Sequence, residues 1–496
     1  MLECSLGWHS GHPMGLLPQV CSTASRHRLG HLGGSEGGAR SCRHHVGLAQ
    51  SNHRRTVEPE GADRTIADNR TPRVSSRGTS TEFTRGRMSS KDLRTAVDKV
   101  VRNGNCTGCG GCALLASNIE MELDSDGFMR PVFRKDFVDS SPDMTRVFER
   151  MCPGISVTER TDPTLSHHPT FGKYFSSWEG RAIDETVRRT GSSAGVLTAL
   201  SAWLIDSDKT GRVIGSARDA VRPTRTVPVS ITSREDALRS AGSRYAPVAN
   251  LPLLKTDGAD NAFVGKPCEA SAAKQLFDMA GVSDESRPIV LSFFCAGTPS
   301  QNATEGLIRK LGVEEESVGT LDYRGNGWPG DFRIGLVDGT DREMSYQESW
   351  GGHLGRNLQW RCKLCVDGTG GHADIAVGDY WHADAKGFPV FTDAEGTSVV
   401  IARTRRGEEL LQEAAAAGIV SLSPLDLRKV AAIQPLQVTR KNTLLARLIG
   451  RRLGGKAVPR YRGYKLGRLA LSDMPNSAKS LLGTYRRTIR RMGPNR

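Results

Sequence analysis

The spacing of the cysteines constrains the fold of this 496-residue chain more than any other feature of its sequence. Seven of the eleven cysteines stand in steps of three residues or at the ends of predicted strands, and an eighth stands immediately before a proline. A disulfide framework is typical of short, cysteine-dense secreted chains, whereas such steps within a long chain are typical of metal ligation in a reducing compartment. The sequence therefore predicts bound metal rather than disulfides.

The first set of cysteines is compact. Cys106, Cys109 and Cys112 fall within seven residues, and Cys152 follows forty residues later, immediately before Pro153. A C-x2-C-x2-C loop with a remote Cys-Pro is how ferredoxin-type modules hold one 4Fe–4S cluster. A structural zinc site is the alternative, although zinc more often takes two separate C-x2-C pairs. We predict that these four cysteines bind a 4Fe–4S cluster.

The second set of cysteines is dispersed. Cys268 and Cys295 each follow a predicted strand, and Cys362 and Cys365 share a glycine-rich loop. Open α/β sheets gather their ligands at the carboxyl ends of strands, so four thiolates could converge there on one cofactor. Lone cysteines are also common core residues. Spacing alone leaves both interpretations open for Cys268 and Cys295.

Strands and helices alternate from about residue 171 to residue 427. The predicted strands cover 212–217, 261–264, 288–294, 373–377 and 398–403. The predicted helices cover 191–205, 233–239, 269–279 and 299–311, with Ser233 as a cap and Pro299 in a first turn. This alternation predicts an α/β fold with a mixed, largely parallel sheet and flanking helices, preceded by a small ferredoxin-like iron–sulfur module.

Residues 1–88 are rich in Gly, Ser, Arg and His and show no sustained periodicity, which predicts a disordered leader. We favour a start codon assigned too far upstream, with translation beginning at Met88, because residues 89–92 have the pattern of a helix start. A transit peptide is a third interpretation. The cysteines of this leader have no motif spacing and receive no role: Cys4, Cys21 and Cys42.

Residues 434–496 hold sixteen Lys and Arg against one acid, Asp473, and so account for the net charge of +14. Within them, residues 444–449 place their apolar side chains on one helical face. Contact with an anionic membrane surface and a plain solvated tail are both open. Aromatic residues are few and no nucleic-acid motif is present, so we predict no specific nucleic-acid partner.

The sequence resembles the coenzyme F-420 hydrogenase/dehydrogenase beta subunit family, which includes 7-hydroxymethyl chlorophyll a reductase. The resemblance runs from Cys106 to about Arg403 in an ordered series of motifs. These motifs are Cys106–Cys112, Cys152–Gly154, Arg189–Gly195, Ser243–Tyr245, Gly265–Cys268, Phe294–Gly297, Asp322–Gly325, Cys362–Cys365 and Ala373–Asp379. No single motif is decisive, but the ordered set is specific.

The resemblance implies that Cys268, Cys295, Cys362 and Cys365 bind a second 4Fe–4S cluster beside an FAD. It also implies that two short segments and one proline contact the flavin. These residues are Ser192, Ser193, Gly195, Ser243, Arg244, Tyr245 and Pro267. The sequence departs from the family pattern at Ala194, Arg244 and Glu269, where Gly, Lys and Gln are usual. Those departures bear on the flavin geometry more than on the clusters.

The domains that follow are a ferredoxin-like 4Fe–4S module at 89–160, a flavin and 4Fe–4S binding α/β domain at 161–433 and a basic tail at 434–496. The longest apolar run, residues 194–205, is too short to span a bilayer. We therefore expect a cytoplasmic protein, with peripheral contact at the inner membrane face as the alternative placement.

The expected function is that of an iron–sulfur flavoprotein oxidoreductase. FAD would pass electrons between a two-electron carrier or substrate, such as coenzyme F-420, and one-electron 4Fe–4S relays. A ferredoxin or an F-420-type carrier would be the redox partner. Asp374, Asp379 and His382 are acid–base candidates, with solvated surface roles as the alternative. The competing hypothesis is a non-catalytic, zinc-stabilised binding protein whose basic tail docks on a membrane or a partner.

Overall fold

Local sequence signals set the beginning of the first helix. A computed structural model of the chain describes residues 92–137, 142–255, 260–381 and 396–490, so the predicted leader lies outside the described residues. The carboxylate of Asp92 accepts a hydrogen bond from the Thr95 N–H and caps the helix that follows. That helix buries Leu93 and Val97. The helix start expected at residues 89–92 is thus confirmed at Asp92.

A small module carries the first cysteine set. Its elements are α1 (Leu93–Arg102), α2 (Gly111–Leu115), β1 (Ile119–Leu123), β2 (Met129–Phe133), α3 (Pro142–Met151) and β3 (Ser156–Thr158). The two longer strands form an antiparallel hairpin. Apolar residues of the helices and of β1 pack together, with Cys112 among them. The module therefore has its own core, and its ferredoxin-like character stays a prediction.

The central part of the chain supplies most of the strands. In chain order its elements are β4 (Ser166–His168), β5 (Gly172–Tyr174), β6 (Ser176–Ala182), α4 (Glu185–Thr190), α5 (Val196–Asp206), β7 (Val213–Arg218), β8 (Thr226–Ile231), α6 (Arg234–Arg239), β9 (Ala262–Gly265), α7 (Pro267–Ala280), β10 (Ile289–Phe293) and α8 (Gln301–Lys310). There follow β11 (Val318–Asp322), β12 (Phe332–Leu336), β13 (Asp341–Met344), β14 (Ile375–Tyr380), β15 (Thr397–Ala402), α9 (Arg405–Ala416), β16 (Val420–Pro424) and α10 (Leu427–Ile433).

Eight of these strands form one sheet in the order β16, β6, β15, β14, β10, β9, β7, β8. The four central strands β14, β10, β9 and β7 are parallel, and every other pairing is antiparallel. The mixed α/β class is confirmed, but the prediction of a largely parallel sheet is wrong. Antiparallel neighbours can be joined by a short connection, as between Arg218 and Thr226, whereas parallel neighbours need a crossover such as α7. The strands β11 to β13 form a separate three-stranded sheet.

The predicted strands and helices of the central part are present, with some boundaries shifted by a few residues. For example, β14 covers Ile375–Tyr380 where 373–377 was predicted, and α5 begins at Val196 after the Gly/Ser turn. Ser233 caps α6 as expected. The helix expected from Pro299 instead begins at Gln301, because the Ser300 hydroxyl accepts a hydrogen bond from the Ala303 N–H. Pro299 lies before this cap and bridges to Leu358.

The region predicted as a basic tail folds into helices. They are α11 (Pro435–Asn442), α12 (Leu444–Leu453), α13 (Leu466–Ser472) and α14 (Met474–Arg490), with the short strand β17 (Arg460–Arg462) after α12. Leu444 and Leu448 of α12 pack against Trp360 and Leu364. β17 pairs in parallel with β3 of the cysteine module. We call residues 435–490 the C-terminal helices. Along the described ranges, no helix is long and apolar enough to cross a bilayer.

A buried ion pair joins the strand β14 to the start of β10. Asp374 and Arg287 are both fully buried and form two hydrogen bonds of 2.6 and 2.8 Å. Asp374 also accepts from the Val290 N–H and the Thr404 hydroxyl. Burial by itself raises the pKa of Asp374, but Arg287 and the Val290 N–H together hold that pKa below its ordinary value.

We expect Asp374→Asn to lower the free energy of unfolding by about 3–5 kcal/mol at neutral pH, because it leaves the buried Arg287 with only the partly exposed Asp284 as a counter-charge. The ionised form stabilises the fold above the unfolded pKa, about 3.9, and that contribution is lost as the pH falls through the lower folded value. The difference between variant and wild type should therefore shrink below about pH 4. Urea unfolding at several pH values measures this difference in unfolding free energy, and Asp126→Asn, at an exposed position, is the control. A variant as stable as wild type at pH 7 would contradict this role.

Candidate redox site

The four cysteines of the first set line one cavity. Cys106 and Cys109 lie in the loop between α1 and α2, Cys112 lies in α2, and Cys152 follows α3. All four side chains line this cavity, and its other walls are mainly apolar. The structure thus brings together the residues that the sequence predicted as one ligand set.

Backbone N–H groups point at each of these sulfurs. The Gly108 N–H donates to the Cys106 Sγ at 3.4 Å. The backbone N–H groups of Gly111, Ala113 and Gly154 lower the pKa of Cys109, Cys112 and Cys152, respectively. Such bonds stabilise negative charge on sulfur, which is the form in which cysteine binds iron.

Burial works against negative charge on these sulfurs. It raises the pKa of Cys109, Cys112 and Cys152, and the neighbouring cysteines raise each of them further. Four thiolates would therefore repel one another strongly in this cavity. A positively charged group among them would remove that repulsion, so the donor set fits iron in a cluster.

The described ranges contain no group of three or more His, Cys, Asp or Glu side chains arranged to hold a single metal ion. A 4Fe–4S cluster takes four thiolates, and the four cysteines of the first set line one cavity.

Three cysteines of the second set lie close together. Cys295 follows β10, and Cys362 and Cys365 lie in and after a single turn of 3₁₀ helix. The Thr298 N–H donates to the Cys362 Sγ at 3.3 Å, and the Cys365 thiol donates to the Asp367 carbonyl at 3.0 Å. Burial and the adjacent Cys362 raise the pKa of Cys295 to about 12, although Arg440 opposes the shift.

Cys268 connects the two sets. It is the second residue of α7, and the charges that act on its thiol come from Lys266, Glu269, Cys109 and Cys295. It therefore lies near a cysteine of each set. Burial raises its pKa well above the ordinary value, while Lys266 opposes the shift.

A buried ion pair stands at this junction. Lys266 and Glu269 are joined at 2.6 Å, and Glu269 also accepts from the N–H groups of Lys266 and Asn250. Sequence analysis noted Glu269 only as a departure from the family pattern. The sequence signal for this pair is a Glu three residues after the helix cap, because a side chain at that position can bond back to the cap residue.

Arg361 was missed as well. Its guanidinium is 2% exposed and donates to the carbonyls of Pro153 and Leu364, at 2.9 and 3.2 Å. Those carbonyls adjoin Cys152 of the first set and Cys365 of the second. The cysteine spacing does not predict a role for Arg361, because the Pro153 carbonyl that it binds lies far from it in the sequence.

Four of the residues predicted to contact flavin lie together. The Ser243 hydroxyl donates to the Ser192 hydroxyl at 2.8 Å, and the Ser193 hydroxyl donates to the Thr397 carbonyl at 2.9 Å. Gly195 precedes α5 with φ +69°. The neighbouring Ala194 is fully buried in the main core, so its extra methyl group packs within the protein.

The other three predicted flavin residues have different surroundings. Arg244 is turned toward β11, where it donates to the Leu321 carbonyl at 2.7 Å, and burial lowers its pKa. Tyr245 packs against Trp350 with ring centres 4.6 Å apart. Pro267 is buried at the first position of α7, next to Cys268. Flavin contact by all seven residues stays a prediction.

Two of the three acid–base candidates, Asp374 and Asp379, lie among the described residues, and both are ion-paired. Asp374 is occupied by the buried pair with Arg287. Asp379 is paired with the buried Arg324 at 2.6 Å. His382 lies outside the described residues. The alternative of solvated surface roles is therefore wrong for Asp374, and the structure gives both carboxylates a structural partner.

We expect Gly195→Ala to destabilise the turn before α5, because a Cβ there would stand 2.4 Å from the Val187 carbonyl oxygen. Gly281→Ala is a matched control, since Gly281 has a similar φ of +67° and open space around it. Left-handed backbone costs either alanine about 1–2 kcal/mol. Thermal unfolding should show a clearly larger loss for Gly195→Ala, and equal losses would refute the steric argument.

Two family models match the chain, and both describe the beta subunit of coenzyme F-420 hydrogenase/dehydrogenase. The model of the N-terminal part of that protein matches residues 177–255. The model of its C terminus matches residues 259–428. Together the models span about half of the chain. The module with the first cysteine set and the C-terminal helices lie outside both.

Individual proteins are similar over longer ranges. The coenzyme F-420 hydrogenase subunit beta of Methanococcus voltae is 25% identical over 304 residues, which are 58% of this chain and 99% of that protein. An uncharacterized protein of Methanocaldococcus jannaschii is 26% identical over 386 residues, 71% of this chain and 98% of its own. A chain of the F-420-reducing NiFe hydrogenase complex from Methanosarcina barkeri superposes with TM-score 0.42 at 20% identity, covering 57% of this chain and 96% of that chain.

Proposed function

Because the chain belongs to the coenzyme F-420 hydrogenase/dehydrogenase beta subunit family, we propose that it is a component of an oxidoreductase and carries two 4Fe–4S clusters and an FAD. It passes electrons between a two-electron carrier, such as a coenzyme F-420-type deazaflavin, and a one-electron partner such as a ferredoxin. The observation that carries this proposal is the adjacency of two four-cysteine sets at Cys268.

The residues of the chain hold and orient the redox groups. Cys106, Cys109, Cys112 and Cys152 would hold one cluster, and backbone N–H groups would stabilise the charge on its sulfurs. The second cluster would take Cys268, Cys295, Cys362 and Cys365. Since Ala270 and Ala272 of α7, the helix that carries Cys268, pack in the same buried cluster as Cys109, the two clusters would be neighbours, which suits transfer of single electrons between them.

The turn before α5 would receive the flavin. Ser192, Ser193 and Gly195 open a helix of eleven residues, whose first N–H groups can bind a phosphate. Ser243 is bonded to that turn and Pro267 begins the helix that carries Cys268. Bound flavin exchanges two electrons with a hydride donor and single electrons with a cluster. The protein's contribution is to hold the flavin beside the second cysteine set.

The full chain purified without oxygen should contain about eight irons, about eight acid-labile sulfides and one FAD. Cys109→Ser and Cys295→Ser should each lower the iron content to about four. Cys42→Ser is the control and should leave it at eight, since Cys42 has no motif spacing. Iron, sulfide and flavin analyses measure these contents.

The same analyses separate the alternatives. Colourless protein containing zinc would overturn the redox function and favour the zinc-stabilised binding protein. About four irons in the wild type would show that only one cysteine set binds a cluster. Eight irons without flavin would support the two clusters but refute the proposed exchange of two electrons through FAD.

We also propose that the outer face of α13 and α14 contacts an anionic membrane surface. Leu471 and Met474 are 70% and 63% exposed where the two helices meet. Exposed basic residues surround them, among them Arg468 and Lys479. Apolar side chains within a basic surface suit the boundary of anionic lipids.

Vesicle flotation tests this contact. The chain should float with vesicles containing phosphatidylserine and stay behind with pure phosphatidylcholine, because the attraction is electrostatic. Replacing Leu471 and Met474 together with Gln should weaken flotation several-fold at the same charge. Equal recovery with both vesicle types, or none with either, would refute membrane contact.

A further inference from the structure

The C-terminal helices touch the loops of both cysteine sets, although they lie beyond the residues that the family models match. At the first set, the Asn105 amide donates to the Ala457 carbonyl at 2.9 Å, and β17 pairs with β3 just after the Cys152 loop. At the second set, the Tyr461 hydroxyl donates to the Leu364 carbonyl. These contacts make the C-terminal helices part of the cysteine sites.

Two basic side chains of α11 bond directly to the second set. Arg440 donates through Nη1 to the Cys295 carbonyl at 3.1 Å and through Nη2 to the Ala296 carbonyl at 3.0 Å. Lys441 is buried and donates to the Val366 carbonyl at 2.8 Å. Arg447 of α12 reaches the Lys363 carbonyl at 3.4 Å. Each acceptor lies within one residue of a predicted iron ligand.

The charges around the second set are not all positive. The buried Asp367 follows Cys365 and accepts from the N–H groups of Thr369 and Gly371. It acts on Lys441, as does Glu159. Arg440 has no carboxylate among the bonds that the structure describes, and its charge opposes the rise that burial gives to the pKa of Cys295. Its charge therefore acts on Cys295 without a bonded carboxylate to offset it.

We propose that Arg440 is a positioning residue that raises the reduction potential of the second 4Fe–4S cluster, and that α11 of the C-terminal helices places this cation at the site. The inference rests on the proposed function. Reduction adds negative charge to the cluster, and a cation held beside the cluster stabilises that charge. The two bonds to carbonyls fix the guanidinium beside Cys295.

Arg440→Gln in the full chain removes the charge and keeps a hydrogen-bond donor. At a fixed applied potential, we expect the ratio of oxidised to reduced second cluster to rise about tenfold, a downward shift of about 59 mV for one electron. Redox titration followed by electron paramagnetic resonance measures the shift. The signal of the second cluster is the one that Cys295→Ser removes.

Two further variants isolate the charge. Arg440→Lys keeps it and should leave the potential close to the wild-type value. Arg452→Gln removes an exposed arginine of α12 and should shift neither cluster. If Arg440→Gln loses iron, an Arg440→Lys chain with full iron and wild-type potential still supports the proposal.

The outcomes separate this inference from the proposed function. Wild-type protein without iron would overturn the proposed function itself. Wild-type protein with eight irons and an unchanged potential in Arg440→Gln would overturn only the role of Arg440. An equal shift in Arg452→Gln, or loss of iron in both Arg440 variants, would also overturn it.

Discussion

Hydrogen bonds from basic side chains to backbone carbonyls hold the cysteine loops, and the rest of the site depends on them. The loops have little regular structure, so their carbonyls need donors from elsewhere. Arg361, Arg440 and Lys441 provide those donors. Arg361, for instance, donates to the carbonyls of Pro153 and Leu364 at 2.9 and 3.2 Å. Each bond satisfies a carbonyl next to a cysteine and places a positive charge beside the cysteine loop.

Local chemistry made the helix starts and most strands predictable. Asp92 and Ser233 are caps because their side chains can accept from N–H groups three residues ahead. Strand pairing was less predictable, since no local pattern says whether β15 returns antiparallel to β14. The basic composition of the C-terminal segment led to the prediction of a tail, whereas the segment folds. Its basic residues Lys441 and Arg451 are buried, and their charges lie against backbone carbonyls and over the rings of Tyr464 and Trp360.

The candidate site also has parts that the sequence predicts and parts that it does not. Cysteine spacing identified the first set, which the structure gathers around one cavity, and the family resemblance was needed to connect the second. The closeness of Cys268 to both sets had no sequence signal, because it depends on how α7 packs against the module. For Arg244 the family motif predicted contact with flavin. In the structure its guanidinium donates instead to a backbone carbonyl of β11 and to the Thr226 hydroxyl.

The pairing of β17 with β3 has a consequence for biosynthesis. A ribosome makes the module and the sheet first and the C-terminal helices last, and domains form in that order. Until α12 and β17 emerge, the loops of Cys152 and Cys362 lack the segment that covers them. The two loops are therefore covered only when the last part of the polypeptide has been made.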